Sequence, residues 1–188
     1  DADLATVGVA NDEAAIATAF SLVNRLGKTP IVCNDGPGFV VNRILTPYLA
    51  EAMAQASEGT PIVVVDDAMK RWGMPMGPFE LLDEIGLDII DHVLDSMNVQ
   101  PPASAKAALE QAMKNKWLGK KSGCGFYVYN HRRRAHKPEV NDDLAETLRG
   151  QSLGHSHKDH AQEHVAREAI AWRLVLPMGT EAAKLMEE

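Results

Sequence analysis

The chain has 188 residues, 45% of them hydrophobic, enough for one large domain, or one domain plus fragments, around a packed core. Aromatic content is only 5% while Ala, Leu and Met are plentiful, which leans towards helix. A formal net charge of −7 and a pI near 5.5 argue against non-specific nucleic-acid binding, although an anionic ligand still suits a locally positive site.

No apolar stretch reaches the roughly 18–20 residues that a membrane-spanning helix needs. The opening Asp1-Ala2-Asp3-Leu4 has no initiator Met and no signal-peptide character, and reads as a cut through a longer protein. Cys33 and Cys124 form neither a metal-type spacing nor a disulfide framework, so a reducing cytoplasm is the expected setting.

The first elements alternate. A weak apolar run from Leu4 to Val9 reads as a strand. Asn11-Asp12 then caps an amphipathic helix (Ala15, Ile16, Ala19, Phe20, Leu22, Val23, Leu26) that stops at Gly27. Thr29-Pro30-Ile31-Val32-Cys33 follows as a second strand. Strand, helix, strand is a unit of parallel sheet, so residues 1–34 are expected to be the tail of a doubly wound domain.

Helical patterning takes over from Gly38 to Ala56, with Pro47 inside, where it removes a backbone donor and should kink the helix. Ile62–Trp72, Pro78–Met97 and Ala103–Trp117 read as three further helices. Asp66 and Asp67 sit near the start of the first, favourably placed for its dipole. Gly123-Cys124-Gly125-Phe126-Tyr127-Val128-Tyr129 is a glycine turn into a short extended segment. Residues 131–158 read as a polar linker with one helix around Val140–Leu148, and a last helix runs from about Asp159 to the end.

One repeat stands out. Arg43-Ile44-Leu45-Thr46-Pro47-Tyr48-Leu49-Ala50-Glu51-Ala52 aligns with Arg173-Leu174-Val175-Leu176-Pro177-Met178-Gly179-Thr180-Glu181-Ala182. Arg, Pro, Glu and Ala recur in register, and the physical reading is two copies of one helical unit. The second copy has Trp172 where the first has Asn42.

Three motifs stand out, the first two of them not explained by core building. They are Asp35-Gly36-Pro37-Gly38-Phe39 leading to Val41-Asn42-Arg43, Pro75-Met76-Gly77-Pro78-Phe79-Glu80-Leu81, and Trp117-Leu118-Gly119-Lys120-Lys121-Ser122-Gly123 leading to Gly125-Phe126-Tyr127. In this order and spacing they resemble the C-terminal domain of L-3-hydroxyacyl-CoA dehydrogenases. The likeness covers residues 1–130 and resumes weakly over the last twenty. It implies a mainly α fold: a helical bundle over residues 35–130, preceded by a residual strand–helix–strand from a Rossmann domain. Residues 159–188 would begin a second helical repeat, which points to a multifunctional fatty-oxidation α-subunit.

The same resemblance implies a site. In the family a Rossmann domain binds NAD and supplies a catalytic His–Glu pair, and an Asn of the helical domain completes the site beside the substrate's oxygen. Asn42 stands in that position; an amide can donate there without titrating. Pro75, Met76 and Leu81 would line the acyl pocket, Met being plastic enough for varied chains. Read from the residues alone, Asn42 is equally a cap near a helix start, and Pro75-Met76-Gly77-Pro78 a stiff turn into a helix. Arg43 reads as a structural ion pair, with an approach to CoA as the alternative.

These residues lack the Gly-x-Gly-x-x-Gly turn of a dinucleotide fold, so no cofactor site is expected among them. His92 reads as a surface or interhelix residue. His155, His157, His160 and His164 could bind metal adventitiously, but no functional metal site is expected; Arg132-Arg133-Arg134 with Lys137 reads as a solvated patch. The expected partners are an acyl-CoA substrate and a second copy or a thiolase subunit. Two other readings stay open: a non-catalytic helical interaction module, and a β-hydroxyacid dehydrogenase for a small acid without CoA.

Overall fold

The structure, a computed structural model, describes residues 4–8, 12–129, 138–150 and 160–187. These are mainly helical, with eight helices and two two-stranded sheets. Strands β1 (Leu4–Gly8) and β2 (Thr29–Cys33) pair in parallel, Leu4 opposite Thr29 and Gly8 opposite Cys33. Helix α1 (Glu13–Arg25) connects them, its N-terminus capped by Asp12, whose Oδ1 accepts from the Ala14 N–H at 2.9 Å. No residue of α1 is buried, and Phe20, Leu22 and Leu26 face solvent. Two parallel strands and one helix cannot cover both faces of a sheet.

Helix α2 (Val41–Ser57) starts three residues later than the apolar pattern suggests, because Gly38 (φ 81°) and Phe39 (φ 47°) take left-handed conformations that no right-handed helix contains. It runs on through Pro47. Helix α3 (Ile62–Trp72) matches its expected bounds. The single helix expected over Pro78–Met97 is two, α4 (Pro78–Ile85) and α5 (Leu87–Ser96). Gly86, at φ 106° and ψ 131°, breaks the ladder between them. Helix α6 (Ala103–Asn115) stops short of Trp117 because Lys116 turns left-handed at φ 59°.

A short 3-10 turn (Lys120–Ser122) leads to β3 (Tyr127–Val128), which pairs antiparallel with β4 (Glu139–Val140). Helix α7 (Asp142–Arg149) and the long α8 (His160–Glu187) complete the chain. The polar stretch that carries α7 hides an apolar i, i+4 pair, Leu144 and Leu148, fully buried against α6 and α2. Burying each such side chain is worth about 1.5–3 kcal/mol. They join Tyr48, Met53, Val65, Met69, Phe79, Leu82 and Leu109 in one core. Phe79 and Phe126 meet edge to face there, ring centroids 5.0 Å apart.

Helix α8 lies along α2 and α3, with Leu174 fully buried. Arg43 of α2 pairs with Glu181 of α8 at 2.7 Å, and Arg173 of α8 pairs with Glu51 of α2 at 2.7 Å. These four residues occupy matching positions of the sequence repeat. The two segments therefore run antiparallel, each arginine paired with a glutamate of the other, and Arg173 also donates to both carboxylate oxygens of Glu58. Trp72 and Trp172 pack edge to face at 4.8 Å where α3 meets α8. His155, His157, Arg132, Arg133, Arg134 and Lys137, with the side chains of His160 and His164, lie outside the described residues.

Candidate functional site

Asn42 sits in the first turn of α2 with an exposed side chain. Its N–H donates to the Gly38 carbonyl at 3.1 Å, and its own carbonyl accepts from Thr46 Oγ1 at 2.7 Å. The backbone is thus tied on both sides, while the side-chain amide makes no hydrogen bond among the described residues. It is therefore not the cap of its helix, and it remains available to an outside acceptor.

Pro75 and Met76 form the turn before α4, with Pro75 exposed and Met76 half-buried; Leu81, inside α4, packs half-buried against the core. No hydrogen bond or ion pair among the described residues joins any of the three to Asn42. A groove of about 480 Å³ lies beside the start of α2, walled by Ile31, Phe39, Val40, Arg43, Ile44 and, from α8, Leu185. Asn42, Pro75, Met76 and Leu81 are not among its lining residues. Arg43 is held by Glu181, whose carboxyl it lowers through their hydrogen bond.

Two buried aspartates explain the motifs physically. Asp66 accepts from the N–H groups of Phe79 (2.8 Å) and Glu80 (3.3 Å) and from the Tyr127 hydroxyl (2.6 Å). Its expected service to the dipole of its own helix is replaced by a long-range cap on α4. It satisfies two of the orphan donors at that helix's start. Glu80 completes the turn, its Oε2 accepting from the Gly77 N–H at 3.0 Å. Asp83 in α4 accepts from the N–H groups of Phe126 (2.9 Å) and Tyr127 (2.8 Å) and from the Tyr129 hydroxyl (3.0 Å).

The glycines of both motifs follow from this. A Cβ on Gly77 would collide with Asp66, and one on Gly125 with the Asp83 carboxylate. Apolar periodicity gives one signal for each aspartate, an acidic residue among the inward positions of an amphipathic helix, but does not name its partners. Among the described residues no group of three potential metal ligands is assembled.

Burial pushes the Asp66 carboxyl up to about 7 and that of Asp83 up to about 6, against the pull of their hydrogen bonds. Both lie above the unfolded value of about 4, so the folded chain binds more protons between these limits. Stability is fully present in acid below the unfolded value and is lost as pH rises through 6 and 7. The melting temperature is expected to fall from about pH 5 to about pH 8, and Asp66→Asn to flatten the upper part of that slope. Melting curves across the range, unchanged by the substitution, would refute the assignment.

Residues 38–129 match the family described as 3-hydroxyacyl-CoA dehydrogenase, C-terminal domain. A similar solved structure is (S)-3-hydroxybutyryl-CoA dehydrogenase from Ralstonia eutropha, 32% identical over 68% of this chain and 47% of that one, with a TM-score of 0.60. The 3-hydroxybutyryl-CoA dehydrogenase of Escherichia coli is 30% identical over 71% of this chain and 29% of that one, at a TM-score of 0.57. The dehydrogenase part of multifunctional enzyme 1 from C. elegans shares the fold, at a TM-score of 0.67 and 21% identity over 98% of this chain and 41% of that one.

Residues 38–129 are therefore a C-terminal domain of the 3-hydroxyacyl-CoA dehydrogenase type. The chain spans less than half the length of each of these relatives.

Proposed function

We propose that these residues are the substrate-side helical part of an NAD-dependent L-3-hydroxyacyl-CoA dehydrogenase of fatty-acid β-oxidation, which interconverts 3-hydroxyacyl-CoA and 3-oxoacyl-CoA. The observation that carries this reading is the uncommitted amide of Asn42, held at the exposed start of α2 inside the family-matched segment. Its NH2 would donate to the oxygen on C3 and stay bonded as charge develops there. Pro75, Met76 and Leu81 would contact the acyl chain.

The residues present do not fit a nicotinamide dinucleotide. The connection from β1 to α1 carries no paired glycines. The Asp12 carboxylate already occupies the N-terminus of α1, where a pyrophosphate would need to sit. The dinucleotide and the proton-transfer pair would come from a domain outside these residues, and the uncovered face of α1 supports such a neighbour.

The near-complete overlap with the C. elegans structure, α8 included, supports a multifunctional parent. Acyl-CoA is the proposed ligand, and association with a thiolase subunit or a second copy would use a surface other than the α2 face that α8 covers. A cytoplasmic setting accords with the two free thiols; among the described residues no helix is long and apolar enough to cross a membrane.

The test is NADH oxidation with acetoacetyl-CoA, comparing the full-length protein with this 188-residue chain. Oxidation by the full-length protein and none by the chain alone is expected. Activity on a small free 3-oxo acid but not on its CoA ester would move the protein to the β-hydroxyacid dehydrogenases. A folded full-length protein inert towards both would make this a helical interaction module.

A further inference from the structure

We propose that Met97 is a positioning residue for Asn42, an inference that rests on the reading of Asn42 given above. Met97 closes the C-terminus of α5, and its side chain reaches the start of α2. Thr46 Oγ1 lies 3.0 Å from Met97 Sδ and 2.7 Å from the Asn42 carbonyl, so one hydroxyl proton is shared between the residue that would act and the residue that would hold it.

Gly38 completes the seat. A Cβ built there would stand 3.1 Å from Asn42 Cβ, 3.1 Å from Met97 Sδ and 3.2 Å from the Arg43 nitrogen. The thioether and the amide-bearing carbon therefore flank one small gap that only glycine leaves open. Backbone strain gathers at the same junction. Of the three non-glycine residues with positive φ among those described, Phe39 (φ 47°) follows Gly38 and Asn98 (φ 52°) follows Met97. Left-handed backbone at ordinary residues persists only where surrounding contacts over-determine it.

The chemistry suits a wedge. A thioether is soft, fills an irregular gap and accepts only a weak hydrogen bond, so it restrains the Asn42 turn without drawing the amide away from substrate. An amide that must meet a reacting oxygen within a few tenths of an ångström needs such a restraint.

The experiment uses the full-length protein with acetoacetyl-CoA and NADH, and measures kcat and KM for Met97→Ala, Met97→Leu, Thr46→Val and Thr46→Ser. Met97→Ala is also made in an Asn42→Ala background, and melting temperatures are followed throughout. Met97→Ala is expected to lower kcat by about ten- to a hundredfold with KM for the CoA ester little changed. Met97→Leu and Thr46→Ser should retain most of the activity, and Thr46→Val should not. Should Met97→Ala fail to fold, the Thr46 pair gives the same contrast.

In the Asn42→Ala background, Met97→Ala should cost nothing further, because a residue acting through Asn42 has nothing left to position. An equal loss in both backgrounds would overturn the proposal and make Met97 general scaffold. So would an unchanged kcat. If Asn42→Ala itself leaves kcat intact, the functional reading of Asn42 fails and this inference with it. A large Asn42 effect beside an inert Met97 sinks the inference alone.

Discussion

Replacing Asn42 with Ala is expected to lower kcat of the full-length protein by about two to three powers of ten while leaving its melting temperature nearly unchanged. The rate effect follows from the role proposed for the amide. The amide is exposed, without a hydrogen bond among the described residues, and mounted on a helix start tied to Gly38 and Thr46. A donor held in advance at the place where negative charge grows stabilises the transition state more than the ground state. The thermal effect is small because the side chain is not a cap, so its removal leaves no buried group unpaired. Asn42→Asp is the companion variant: a similar shape that accepts but cannot donate, and it should be at least as damaging. Wild-type kcat in Asn42→Ala would leave the residue no part in the reaction.

Asp83→Ala is expected to destabilise the helical domain by about 2–5 kcal/mol, a large share of the 5–15 kcal/mol that holds a typical domain together. Asp83 is fully buried and receives the Phe126 and Tyr127 N–H groups and the partly buried Tyr129 hydroxyl, so its loss strands two buried donors and loosens a third. It also opens a cavity beside Gly125, which the surrounding core does not readily fill. Asp83→Asn keeps one acceptor oxygen and most of the volume and should lose clearly less. Urea unfolding of the isolated chain measures both. Equal, small shifts for the two variants would show that water reaches the stranded donors.

The fold was legible where apolar period and punctuation agreed. Asp12 and Gly27 bracket α1, and α3 fills Ile62–Trp72 as its pattern predicts, because caps and periodicity are local signals. The break at Gly86 was not legible. A lone glycine inside an apolar-periodic run is tolerated in many helices, and only tertiary contact, here the Leu87 N–H donating to the Leu118 carbonyl, decides that it ends one. The late start of α2 escaped for a similar reason, since left-handed backbone at Phe39 contradicts its residue type.

The site was legible unevenly. Asn42 could be singled out only through a motif. The structure adds what the motif lacks, an exposed and uncommitted amide. The aspartates behind the Pro-Phe-Glu and Gly-Phe-Tyr motifs were missed because their partners lie thirteen and more than forty residues away. No spacing rule for a single element reaches that far. The contact of Thr46 with Met97 was not legible either, the two lying 51 residues apart and joined only by folding.

The crossed ion pairs of α2 and α8 carry a different lesson, about asymmetry. When two identical chains meet on a twofold axis, a substitution in one is imposed on the other, and each half must keep whatever the site requires. Here both halves belong to one polypeptide, so the contact cannot be lost by dilution and its halves are free to diverge. Arg43 and Arg173, Glu51 and Glu181 are alike, and the crossed pairing uses them on both sides. Position 42 differs: its counterpart is Trp172, packed against Trp72. A covalent tether lets position 172 serve packing while position 42 stays exposed.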